Sequence, residues 1–195
     1  MTSIKSRAER TPRRRALARA GAAVAASGTV AGALLLAAPA FAATHHATTA
    51  TTYTFTTLND QADPTFNQLL GINGNHVIAG YFGSGADAQH PNKGYVLRPP
   101  YGQANYTNEN FPGSTQTQVT GLNNQGDTSG FWVTANGTNH GFVLTNPQGP
   151  KSHWQSIDDP NGIGSTVVNG INGAGDLVGF YTDAAGNTDG MLATP

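Results

Sequence analysis

Gly71-Ile72-Asn73-Gly74-Asn75-His76-Val77-Ile78-Ala79-Gly80-Tyr81-Phe82 is met again fifty residues on as Gly121-Leu122-Asn123-Asn124-Gln125-Gly126-Asp127-Thr128-Ser129-Gly130-Phe131-Trp132. A third version follows after a further forty-nine residues, Gly170-Ile171-Asn172-Gly173-Ala174-Gly175-Asp176-Leu177-Val178-Gly179-Phe180-Tyr181. Self-similarity at a near-constant period marks a repeat architecture. Alternating apolar residues, bounded by Asn and Gly turns, read as a pair of short strands in each copy.

Working outward, a second block follows each of these: Gly94-Tyr95-Val96-Leu97, Gly141-Phe142-Val143-Leu144 and Gly190-Met191-Leu192-Ala193. Their leading glycines stand 23, 20 and 20 residues after Gly71, Gly121 and Gly170, and the extra residues of the first copy fall in the loop 86–93. An insertion confined to a turn leaves strand register intact. A third block, begun by Phe55, Tyr106 and Trp154, precedes the three leading glycines by 16, 15 and 16 residues. Each unit therefore offers four short strands, and no window beyond residue 42 carries helical periodicity with caps.

The expected fold is all-β: three four-stranded units of about 50 residues in a propeller-like arrangement, occupying residues 53–195. The last unit has no fourth strand after Gly190, while a spare copy stands at residues 53–60. Pairing the two would close the ring and remove both free edges. Propellers usually have about four to eight blades, so three units form a tight ring. A homodimer completing a six-unit ring, or a β-trefoil-like threefold fold, are the alternatives.

Residues 1–42 differ in kind from the rest. They hold seven of the ten basic residues, then an apolar Gly/Ala-rich run that ends in Ala40-Phe41-Ala42. This is the pattern of an export signal peptide cleaved after Ala42, which implies a secreted, extracellular protein free of the membrane after cleavage. Arg13-Arg14 also suits the twin-arginine route, although no Phe-Leu-Lys follows, so general secretory and twin-arginine export both stay open. Residues 43–52, polar and of low complexity, read as a flexible leader.

Past residue 42 only Lys93, Arg98 and Lys151 are basic, against ten acids, a net charge of −7. So few cations cannot neutralise phosphates, which argues against nucleic acid. There is no cysteine, so disulfides, thiolate metal sites and cysteine nucleophiles are excluded.

The pattern Gly-Ile-Asn-x-x-Gly-x-x-Val-Gly-aromatic-aromatic, then a polar turn and His140-Gly141-Phe142-Val143-Leu144, resembles the HAF-type extracellular repeat. The resemblance spans residues 53–195. It departs where His76 replaces the glycine of the other copies and where Lys93 and Asp189 replace the signature histidine. It implies secretion and propeller-like β repeats, and brings no chemistry with it.

No catalytic motif stands out. Gly83-Ser84-Gly85 lacks the outer glycine of a nucleophile elbow, and Glu109 is the single glutamate past residue 42. The six histidines have no partner at zinc-ligand spacing. The acidic turns at Asp127, Asp158-Asp159, Asp176 and Asp183 offer oxygen ligands of the kind calcium takes, but no twelve-residue calcium loop is present. No catalytic, cofactor or metal residue is assigned.

The expectation is a non-catalytic module that binds an extracellular glycan, polymer or protein. An extracellular hydrolase with carboxylates drawn from different repeats and a structural cell-envelope protein are the alternatives. Ligand contact falls to the outward ring of each aromatic pair, Phe82, Trp132 and Tyr181, and to the repeated amides Asn73, Asn123 and Asn172. Those amides also suit plain turn chemistry, each bonding nearby backbone.

Overall fold

The recurring Asn-centred turn and the glycine seven residues after it set the local structure. A computed structural model describes residues 51–195. The expected export signal, residues 1–42, and all but the last two residues of the expected 43–52 leader lie outside them.

Every strand foreseen from residue 67 onward forms. The first sheet is β1 (Asn67–Ile72), β2 (Ile78–Phe82), β3 (Lys93–Leu97) and β4 (Tyr106–Asn108), paired in that order. The second repeats it with β5 (Gln116–Leu122), β6 (Thr128–Val133), β7 (Asn139–Thr145) and β8 (His153–Ile157). The third holds three strands, β9 (Thr166–Ile171), β10 (Leu177–Thr182) and β11 (Thr188–Ala193), in the order β11-β10-β9. Every strand ladder within the three sheets is antiparallel, and no sheet is closed into a barrel. There is no α-helix among the described residues.

The repeated glycines have a steric cause. Each first strand carries a bulge at the same place, between Leu69 and Gly71, between Val119 and Gly121, and opposite Val178 and Gly179. The bulge pushes a carbonyl toward the neighbouring strand. A Cβ on Gly80, Gly130 or Gly179 would stand 2.2, 1.9 or 2.0 Å from the oxygen of Gln68, Gln118 or Val167. Only glycine lets the strands approach so closely.

Side chains alternate between two faces of each sheet. The front faces carry Ile78, Tyr95 and Leu97; Thr128, Phe142 and Leu144; Leu177, Met191 and Ala193. The back faces carry Ala79 and Val96, Ser129 and Val143, Val178 and Leu192. One core forms where the back of the first sheet meets the front of the second, joining Ala79 to Val119, Leu122, Phe142 and Leu144. The next joins the back of the second sheet to the front of the third, Val143 against Val168, Leu177 and Met191. The same joint is thus used twice.

The expectation for residues 53–60 is corrected. They lie in no strand, and the third sheet keeps three. Leu58 instead packs on the front of the first sheet, with Ile78, Tyr95 and Leu97. Just beyond, Gln103 Nε2 donates to Asp60 Oδ1 (2.8 Å) and Gln61 N donates to Gln103 Oε1 (3.1 Å). This anchoring holds the segment to the first sheet, away from β11 of its own chain.

Candidate functional site

Two ends of each sheet hold the residues singled out by the sequence. Asn73, Asn123 and Asn172 open the β1–β2, β5–β6 and β9–β10 turns, whereas Phe82, Trp132 and Tyr181 sit at the far ends of β2, β6 and β10. The two groups are therefore not brought into one site.

Each asparagine is consumed by its turn. Asn73 Oδ1 accepts from the backbone N–H of Asn75 and Val77 (both 3.0 Å), Asn123 Oδ1 from that of Asp127 (2.9 Å), and Asn172 Oδ1 from those of Ala174 (2.8 Å) and Asp176 (3.0 Å). Their amide nitrogens reach onward to the next unit: Asn73 Nδ2 donates to the Asn123 carbonyl (2.9 Å) and Asn123 Nδ2 to the Asn172 carbonyl (3.3 Å). Asn73 and Asn123 thus tie unit to unit.

The aromatic row is half-buried. Phe82 packs beside the front core of the first sheet and Tyr181 beside that of the third. Trp132 stacks on Phe111 with centroids 4.3 Å apart and planes 3° off parallel, and on His140 at 4.7 Å and 23°. His140 Nδ1 in turn meets Asp158 Oδ1 at 2.8 Å. Phe111 carries no repeat signature, so nothing in the sequence marks it as the partner of Trp132.

Sequence reasoning also missed a cleft between the first and second units, of about 310 Å³. Its polar wall is made by Asn73, which the sequence had singled out, with Asn75, Arg98, Asn124, Gln125, Asn146 and Gln148, over an apolar floor of Val77, Val96 and Leu122. The turns fix this wall: Asn124 Oδ1 accepts from Gly74 N (2.7 Å), its carbonyl accepts from Asn75 Nδ2 (3.0 Å), and Asn146 N donates to Asp127 Oδ1 (3.1 Å). Amides and one guanidinium around an apolar floor can hydrogen-bond hydroxyls and carbonyls. The wall holds no general acid or base.

Glu109 is buried, its Oε2 accepting from the Thr128 hydroxyl (2.8 Å) while Oε1 has no partner among the described residues. Burial pushes this carboxyl above its ordinary range, against the pull of the Thr128 bond and of Arg98. It does not line the cleft. Among the described residues no group of three or more His, Asp or Glu side chains is placed to hold a metal ion. Asp127, Asp176 and Asp183 spend carboxylate oxygens on Asn123, Asn172 and Asn187 within their own turns.

No family model, curated protein or solved structure matches this chain.

Proposed function

We propose that this chain is an exported, non-catalytic binding module whose ligand is a neutral polar polymer, a glycan, seated in the cleft between its first and second units. The single observation that carries the reading is the composition of that cleft, six amides and Arg98 over an apolar floor. Sugars are held by such planar amide and guanidinium donors. A net charge of −7 past residue 42 disfavours polyanions. Export rests on the basic and apolar pattern of residues 1–42. The propeller-like reading is supported by β1, β5 and β9 lying side by side, with Gly71 facing Gly121 and Gly121 facing Gly170.

The test is a glycan array, followed by titration of the hits with Arg98→Ala and Gln148→Ala. Binding that weakens at least tenfold in each, with unchanged circular dichroism, is the expected result. A blank array, or hits indifferent to both substitutions, would overturn the assignment.

A further inference from the structure

The joint that links the sheets leaves two unmatched halves. The front of the first sheet exposes Leu69 and Ile72, the latter 63% accessible. The back of the third exposes Val178 (52%) and Leu192 (69%), whereas Val96 and Val143, which stand at the position of Leu192 in the other units, are 1% and 8% accessible. An apolar pair of faces left open at the ends of a repeated stack is the signature of an interface between molecules.

Three details show that the open halves match each other. Gly94 and Gly141 leave room for the next sheet's Val119 and Val168, whose Cγ2 atoms lie 2.7 Å from where a Cβ would stand. Gly190 occupies the same position with nothing among the described residues within 4 Å, and the repeat equivalent of Val119 and Val168 that would fill this space is Leu69. Asn73 and Asn123 donate to the next unit's carbonyl, whereas Asn172 Nδ2 donates within its own turn, to Asp176 Oδ2 (2.8 Å).

Residues 53–58 supply the remaining piece. By repeat position Leu58 corresponds to Glu109 and Ile157, and Ile157 packs into the core between second and third sheets. Leu58 already sits on the front of the first sheet, where a preceding sheet would meet it. Phe55, equivalent to Tyr106 of β4 and Trp154 of β8, is 93% accessible. Tyr106 pairs with Leu97 and Trp154 with Leu144, so Phe55 would pair with Ala193 on β11, whose outer edge has no partner among the described residues.

We propose that the third sheet of one molecule receives the first sheet of a second copy of this chain through the same joint, residues 53–57 of that copy adding a fourth strand to β11. Leu69 of the second copy enters the space beside Gly190, and Asn172 donates to the Asn73 carbonyl across the contact. Two copies joined head to tail at both ends make a ring of six sheets, within the ordinary range of about four to eight. The contact is independent of the ligand reading above and needs no ligand.

Sedimentation of the purified chain at micromolar concentration tests it. The expected result is the mass of two chains, reduced to one by Gly190→Leu and by Leu192→Lys without change in circular dichroism, since both positions are open in the single molecule. In a chain without cysteine, Thr56→Cys combined with Leu192→Cys should give, on oxidation, a covalent dimer on a non-reducing gel. A wild-type chain that stays single at all concentrations would overturn the proposal. So would an assembly indifferent to both surface substitutions, or a cross-link that closes within one chain.

Discussion

At the residue scale the strongest constraint is the glycine opposite each bulge. Gly130→Ala should lose about 3 kcal/mol or more in urea unfolding, because the added methyl meets the Gln118 carbonyl at 1.9 Å and neither strand can move without breaking the ladder. His76 is the opposite case. It stands at φ +60°, where the corresponding Gly126 and Gly175 have +91° and +89°. A side chain in that region is strained, so His76→Gly should raise the urea midpoint, with a gain of about 0.5–1 kcal/mol. The tie between His90 and Asp63 sets a pH dependence. The Thr65 hydroxyl, then His90 itself, hold Asp63 below its ordinary 3.8, and Asp63 holds the His90 imidazole (2.7 Å) above its ordinary 6.5. The imidazolium contribution is full below pH 6.5 and fades as pH rises through the raised value. The carboxylate contribution is full above 3.8 and is lost as pH falls through the lowered value. An NMR titration should place His90 above 6.5, and lower in Asp63→Asn; an unmoved midpoint would show that the pair does not form.

At the scale of elements, the turns and strands were readable because each obeys local rules, Asn and Gly in the turn and alternation along the strand. What could not be read was which ring of each aromatic pair faces out. Alternation assigns outside and inside only when a sheet has one solvated face, and the second sheet is covered on both, with Phe142 in one core and Val143 in the other. Residues 53–60 failed for a related reason. Their pattern is that of β8, but an edge strand forms only where a partner edge is within reach, and that is a property of the assembly rather than of the segment. The amide cleft was invisible because its wall is drawn from loops of two units some fifty residues apart. The turns themselves differ in a testable way. Asn123→Ala removes the bonds to Asp127 and to the Asn172 carbonyl, and should cost about 1–2 kcal/mol. In the single molecule, kept so by Gly190→Leu, Asn172→Ala should cost less, since its amide makes no bond to another unit. Equal losses in thermal unfolding would contradict the unit-to-unit tie.

For the whole molecule, stability resides in the joints as much as in the sheets. Phe142 is fully buried between the first and second sheets, against Phe111 and Trp154, and Phe142→Ala should cost about 3–5 kcal/mol. If the ring of two copies forms, the melting temperature of the wild-type chain rises with its concentration, while that of Gly190→Leu does not. A flat wild-type profile in calorimetry would speak against the ring.

The recurrence of a single joint also bears on how such a molecule can grow. The back of the first sheet fits the front of the second as the back of the second fits the front of the third. A duplicated fifty-residue segment, spliced in frame at a loop, would therefore arrive with its seat already cut on both sides. Lengthening by gene duplication would require no new contact to be invented, and the bulge with its facing glycine, carried in every copy, would keep the register of each addition.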